Sequence, residues 1–401
     1  MNGVALAYAG VHQIFQLALA AHEIGELEGL FCSIIDGPGK WGRRLARWVP
    51  PGTARPLGSP ALPEERVMEF PWPMLANRLA SRLLPGRHSD HLRSNSWFDR
   101  QAARWLGGSN ARVFVGGETC ALESLRAAEL KGMKRVLDCP GVPSAALDEE
   151  ALKAAATFGV GIATSSNSPA MQQRKKAELE LADLVLCCSE FQRDKLMALH
   201  PHLRRAEVLP LWTDVDFWRP CAAERSFSRP GEPLRIIYAG ATSLRKGIPY
   251  LLEAVQPIGD AVELTLVGGI SAEMTAVLPR YRRHRHLPYV SKPELRKLYA
   301  HHDLLVMPTL GDSFGFVTLE AMASGMPVVT SRHAGAPVPD ESWRVPAHDA
   351  EAIRARVEHY LEDRPRLAED GERAAAFAAG FRPENYRARA AALFTELLSG
   401  S

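Results

Sequence analysis

The chain has 401 residues, 46% of them hydrophobic and 23% charged, with a formal net charge of +2. That length exceeds one ordinary core and sets an expectation of two domains of about 200 residues each. The near balance of charge argues against a general nucleic-acid binder, and the six scattered cysteines, without metal-ligand spacing, read as buried small hydrophobes of a reducing compartment.

No window is apolar enough for a transmembrane helix, and the first ten residues, MNGVALAYAG, lack a basic leader region. A cytoplasmic protein is the expectation. Val4 to Ala9 reads as a buried strand. Gly10 follows, and then Val11 to His22 carries apolar residues at helical spacing. Leu27 to Ser33 is a second strand. This opening is that of a doubly wound α/β domain, but the turn at Gly10 lacks the G-x-G-x-x-G dinucleotide fingerprint, which argues against an NAD enzyme. Residues 36 to 95 read as irregular because prolines interrupt them. Within them Trp41, Arg43, Arg44, Arg47 and Trp48 read as a solvated helix face or as a contact with an anionic membrane surface or an acceptor.

The alternation resumes with a strand at Ala111 to Gly116, a helix at Glu118 to Lys131 and a strand at Arg135 to Leu137. Asp138-Cys139-Pro140-Gly141 is then expected as a loop at a strand's carboxyl end, where α/β folds place functional groups. A long helical region containing Glu149, Glu150 and Arg174-Lys175-Lys176 leads to a strand at Ala182 to Cys187. Ser189 is the expected N-cap of a helix over 190–199. After a strand at Glu207 to Pro210, the stretch from Leu211 to Pro233 reads as an interdomain linker.

The rhythm restarts at Arg235 to Ala239. Its loop, Thr242-Ser243-Leu244-Arg245-Lys246-Gly247, opens a helix with Pro249 in the first turn. Strands follow at Val262 to Val267 and His286 to Val290, then a helix from Ser291 to His301. The stretch from Asp303 to Thr330 is a further βαβ unit: a strand, a loop at Pro308 to Gly311, a helix from about Gly315, and a strand from Val328. Helices close the chain at 350–361, 362–381 and 383–398.

Two loops of this second half have matching chemistry. Lys246 beside a helix start suits a phosphate or diphosphate, and the glycines Gly311 and Gly315 let a ligand approach the backbone at the next such start. Glu320, in the middle of an otherwise apolar helix, needs donors, and the vicinal diol of a ribose supplies two. Taken singly, the Lys-Gly pair also reads as a surface turn and Glu320 as the partner of a buried arginine. Their occurrence together at successive strand ends favours a nucleotide-sugar site.

The run Asp312-Ser313-Phe314-Gly315-Phe316-Val317-Thr318-Leu319-Glu320, continuing through Ala321-Met322-Ala323-Ser324-Gly325-Met326-Pro327-Val328, resembles the E-x7-E signature of the retaining GT-B glycosyltransferases of family four. Gly240 to Gly247 resembles that family's phosphate loop, and Pro210 to Pro220 its interdomain junction. The resemblance implies an α/β protein of the GT-B fold, with two Rossmann-like doubly wound domains facing each other across a cleft. Residues 1–215 would form the acceptor side and 216–380 the nucleotide-sugar donor domain, with the helix at 381–401 packing back on the first domain. It implies a retaining, metal-independent hexosyltransferase with no cofactor beyond a UDP- or GDP-sugar donor. The acceptor would be a glycan, lipid-linked or small molecule, and the protein cytoplasmic with a membrane contact allowed. By carry-over, Lys246 neutralises the diphosphate, Glu320 binds the ribose, and Asp312 with Ser313, Phe314, Gly315 and Phe316 meets the sugar and leaving phosphate. Arg245, Tyr289, Val290 and Gly10 complete the expected donor contacts.

The sequence departs from the family pattern where Asp312 replaces a glutamate, Ala241 stands at a position often held by arginine, and Trp212 replaces a glycine. The loop Leu137 to Pro143 has no histidine. The family often carries one after an N-domain strand, near the transferred sugar, and Asp138 and His12 are the candidates for its place, making the expected catalytic set Asp312, Lys246, Asp138 and His12. The competing readings are a sugar-nucleotide epimerase or a sugar phosphorylase on the same architecture, and a non-catalytic binding module that keeps the fold.

Overall fold

Two parallel sheets carry the chain. The computed structural model describes residues 3–10, 13–34, 40, 61–83, 91–163 and 168–400. The aromatic-basic stretch 41–48 and His12 lie outside the described residues.

The first sheet comprises β1 (Val4–Tyr8), β2 (Leu27–Cys32), β3 (Val67–Glu69), β4 (Val113–Gly117), β5 (Lys134–Cys139), β6 (Leu184–Cys187) and β7 (Ala206–Val208). Their spatial order is β3-β2-β1-β4-β5-β6-β7. The helices of this half are α1 (Ile14–Glu23), α2 (Trp72–Leu83), α3 (His91–Gly107), α4 (Leu122–Leu130), α5 (Ser144–Phe158), α6 (Pro169–Leu181) and α7 (Glu190–Leu199). Two short helices, α8 (Val215–Trp218) and α9 (Pro220–Glu224), lead into the second sheet.

That sheet comprises β8 (Leu234–Ala239), β9 (Val262–Val267), β10 (Arg285–Leu287), β11 (Leu304–Met307), β12 (Val328–Ser331) and β13 (Arg344–Val345), in the order β10-β9-β8-β11-β12-β13. Its helices are α10 (Ile248–Val255), α11 (Met274–Val277), α12 (Lys292–Ala300), α13 (Phe316–Ala323), α14 (Ala350–Glu362) and α15 (Pro365–Ala378). Both sheets therefore reverse direction next to their first strand, between β1 and β4 and between β8 and β11. Those switch points open crevices at the strands' carboxyl ends, where doubly wound folds bind ligands.

The strands read as apolar runs because both faces are covered: β4, β6, β11 and β12 have every residue buried. A last helix, α16 (Pro383–Ser399), returns from the second half and packs on α1. Arg387 bonds to Glu23 at 2.7 Å and to Gln16 at 2.9 Å, Arg112 donates to the Leu398 carbonyl at 3.0 Å, and Phe394 is fully buried.

Several elements differ from the sequence reading. Within the segment 36–95 expected to be irregular, residues 67–83 and 91–95 are largely regular, forming β3, α2 and the start of α3. The apolar residues of α3 that are buried, Phe98, Ala102 and Leu106, keep helical spacing within a polar sequence, so tertiary burial rather than composition fixes the helix. β5 runs on through Asp138 and Cys139, because Asp138 pairs in register with both β4 and β6 and Cys139 with β6. α4 begins at Leu122 rather than Glu118. The buried carboxylate of Glu178 accepts the N–H groups of Thr119 (2.6 Å) and Ala121 (3.0 Å), and Thr119 takes a positive φ of 75° in the resulting turn. The strand expected at His286 to Val290 occupies Arg285–Leu287 alone.

Candidate active site

The loop between β8 and α10 and the loop between β11 and α13 stand side by side at the second sheet's switch point. Gly247 starts α10 with φ 70°, and a side chain there would lie 1.9 Å from the Pro308 carbonyl, so glycine is required for the two loops to meet. Leu310 N–H donates to the Arg245 carbonyl at 2.9 Å and ties them together. Gly315, with φ 76°, turns the second loop into α13. The N–H groups of Phe316 and Val317, in the first turn, have no intrahelical acceptor and point out of the helix start.

Within this frame Lys246 and Asp312 form a direct ion pair, and both are largely buried. Asp312 is held from below. Its N–H donates to the His333 carbonyl (3.0 Å), its carbonyl accepts from Gly335 (3.0 Å), and its carboxylate accepts from Phe314 N–H (3.4 Å). The Arg245 side chain is exposed and makes no ion pair among the described residues. Two buried hydroxyls here have no partner among the described residues, Thr242 Oγ1 in the first loop and Thr318 Oγ1 in α13.

Glu320 lies one turn further into α13. It is mostly buried and meets neither arginine nor hydrogen-bond donor among the described residues, so its role as the partner of a buried arginine is not what the fold provides. Burial pushes its carboxyl up to about 7, against a smaller opposing pull from Lys292. The fully buried Tyr299 is close enough to feel that charge, and its hydroxyl also has no partner among the described residues. A buried carboxylate left without donors is costly in the free protein and is satisfied when hydroxyls enter. Phe314 is buried and packs edge-on against Phe316, their rings 5.3 Å apart, while Phe316 is half exposed. Tyr289 is 81% exposed, an aromatic face free for contact, and Val290 is half-buried behind it.

Ser313 faces the other domain. Its Oγ accepts the N–H of Val142 at 2.8 Å, and its carbonyl accepts from Cys188 Sγ at 3.1 Å. Further contacts join the domains nearby: His348 Nε2 to Glu150 at 2.7 Å, the stacked rings of Phe191 and His333 at 5.0 Å, and Leu147 against Gly311. In the sequence reading, Glu150 figures only as an acid of a long helical region and His348 is not singled out. Their pairing depends on how the two domains face each other.

On the first domain, the switch point between β1 and β4 holds a cavity of about 420 Å³. Tyr8, Gly10, Ser33, Asn77, Asn95 and Thr119 are among the residues that line it. Gly10 lies against the Tyr8 ring at this mouth, on the opposite domain from the Lys246 loop. Asp138 is placed differently from the sequence expectation. As a β5 residue it is 3% exposed, accepts Gln13 Nε2 at 2.8 Å, and is pushed up to about 7 by burial. Its carboxyl sits under the loop that follows instead of within it.

Two doubly wound domains with their switch points turned toward a shared cleft define the GT-B architecture. Solved structures share it over the whole chain. A sucrose-phosphate synthase from Thermosynechococcus elongatus aligns with a TM-score of 0.67 at 18% identity and 100% coverage of both chains. The Anabaena protein HepE, solved in complex with UDP-glucose, aligns at 0.58 and 14% identity, again with 100% coverage of each. Residues 233–363 match the family model described as Glycosyl transferases group 1. The chain thus has the GT-B fold, and residues 233–363 of its second domain are similar to the group 1 glycosyltransferases. Among curated relatives, a D-inositol 3-phosphate glycosyltransferase of Nocardia farcinica is 28% identical over 329 residues, covering 76% of this chain and 65% of its own length. An uncharacterized glycosyltransferase of Methanocaldococcus jannaschii is 36% identical over 118 residues, 28% of this chain and 30% of that protein. The matches thus span less than two thirds of these relatives' own lengths.

Proposed function

We propose that the protein transfers a sugar from a nucleotide-sugar donor to an acceptor held on the N-terminal domain, with retention of anomeric configuration. The observation that carries this reading is the arrangement around α13. Glu320 is a mostly buried carboxylate without hydrogen-bond donors among the described residues, and Asp312, separated from it by seven residues, is paired to the lysine of the neighbouring phosphate-type loop. A nucleotide sugar supplies what each group lacks. Ribose hydroxyls donate to Glu320. The diphosphate takes Lys246, the exposed Arg245 and the free first-turn amides of α13, and the transferred sugar's hydroxyls take Asp312 as Lys246 turns to the phosphates. The leaving nucleoside diphosphate accumulates negative charge as the glycosidic bond breaks, so preorganised cations and amides at that point lower the barrier. In this reading that work belongs to Lys246, Arg245 and the helix start, with no metal ion or cofactor required. The complexes of HepE with UDP and UDP-glucose support a uridine donor, and GDP-sugars remain the second choice.

The test is a panel of UDP-, GDP- and ADP-sugars, measuring nucleotide binding by calorimetry and donor turnover by release of free nucleotide. Binding with turnover is the expected result. Binding without turnover would favour a non-catalytic module, a reading that Ala241 and the buried Asp138 make specific. Absence of binding to every member would overturn the donor assignment.

A further inference from the structure

Ser313 belongs to the donor loop by sequence, yet its contacts run to the other domain. The residues it touches are themselves held in place. Gln192 Nε2 donates to the carbonyls of Cys139 (2.5 Å) and Gly141 (3.0 Å), while its Oε1 accepts from Cys188 N–H at 2.8 Å. One fully buried amide therefore fastens the loop after β5 to the loop after β6. Both loops then end on Ser313, the first through Val142 N–H on Oγ and the second through Cys188 Sγ on the carbonyl. On the far side, Gly335 packs so closely that a side chain there would lie 2.0 Å from the Ser313 carbonyl and 2.5 Å from Ser189 Oγ. Ser313 is thus fixed from three directions, and the residue before it is Asp312.

We propose that Ser313 is a positioning residue. It clasps the β5 and β6 loops of the N-terminal domain to the donor loop, and so sets the distance between the acceptor side of the cleft and the sugar-facing acid Asp312. The Glu150–His348 contact at 2.7 Å, backed by Tyr250 on His348 Nδ1 at 2.9 Å, is a second fastening along the same seam. The catalytic consequence rests on the donor reading above; the mechanical one does not. A hydroxyl that accepts a backbone N–H across a domain interface costs little to break and much to misplace. Removing it leaves the Val142 amide unsatisfied at the seam and lets the two domains drift. Drift of about 1 Å between reacting groups is enough to cost orders of magnitude in rate.

The experiment compares Ser313→Ala, Ser313→Thr and wild type in the full-length chain, with two readouts. The first is the interdomain distance distribution between spin labels on Leu130→Cys and Glu351→Cys, both at exposed positions. The native cysteines of the described chain are buried, so the introduced thiols are the ones labelled. Ser313→Ala is expected to broaden or lengthen that distribution, and Ser313→Thr, which keeps the hydroxyl, to restore it. The second readout is binding of UDP and of UDP-glucose together with the rate of UDP-glucose hydrolysis. Ser313→Ala should leave both affinities within about twofold and lower kcat about tenfold or more. If UDP-glucose affinity falls while UDP affinity holds, Ser313 is a donor ligand and the clasp assignment is overturned. An unchanged distance distribution overturns it as well. Failure of any nucleotide to bind the wild-type chain would count against the donor reading while leaving the distance measurement to decide the clasp.

Discussion

At the residue scale the decisive group is Glu320. Its carboxyl titrates near 7 in the folded chain, above its value in an unfolded one, because burial disfavours the charged form. The stability this group contributes is fully present below the ordinary carboxylate range and is lost as pH rises through about 7. Glu320→Gln should therefore stabilise the ligand-free protein at pH 8, on the order of 2 kcal/mol, and change little at pH 4, which thermal melts at the two pH values would reveal. The same substitution should weaken UDP binding by about 1–3 kcal/mol, the scale of a lost charged hydrogen bond, and unchanged affinity in calorimetry would refute the ribose assignment. Since the diol requires the ionised form, wild-type affinity for uridine should rise between pH 6 and 8 and the Gln variant should show a flat profile. Lys246→Ala should lower kcat by about 10²–10³-fold with a small change in melting temperature. A variant that merely melts early would argue for a structural ion pair with Asp312. The kinds of these residues and their spacing were legible in the sequence. That Asp312 is paired and Glu320 is not could be seen only once β8 and β11 were neighbours.

Among the elements, the turn into α10 shows how closely the phosphate-type loop is built. Its position depends on Gly247, where a positive φ and the Pro308 carbonyl exclude a side chain. Gly247→Ala should cost at least about 2 kcal/mol, because strain and a backbone clash act together, and urea unfolding would measure it. The loop would also part from Leu310, so loss of UDP affinity should accompany the loss of stability. Both α10 and α13 were readable from glycine, proline and apolar spacing. α3 was not, because its polar residues hide a narrow buried face of Phe98, Ala102 and Leu106. Asp138 was expected in a loop for a related reason. The Cys-Pro-Gly run suggested a break, but pairing with both neighbouring strands at Asp138 and with β6 at Cys139 extends β5 before the chain turns.

Across the whole molecule, α16 straps the two halves together. It leaves the second domain after α15 and buries Phe394 and Leu398 against the first, with Trp212 and Tyr386 packed at 4.7 Å where the chain crosses. Phe394→Ala should destabilise the protein by about 3–5 kcal/mol, measured by urea unfolding, and a loss below 1 kcal/mol would show that the strap carries no load. The sequence by itself determined the alternation of strands and helices, the restart at β8, the lysine before α10 and the acids before and within α13, because these follow from local periodicity and from residue chemistry at strand ends. Only the tertiary structure decided which groups are paired across loops, that Asp138 is buried beneath the cleft, and that Ser313 answers to the opposite domain. Those depend on contacts between residues far apart in the chain, 66 positions for Lys246 and Asp312, 125 for Gln13 and Asp138 and 171 for Val142 and Ser313, which no local pattern encodes.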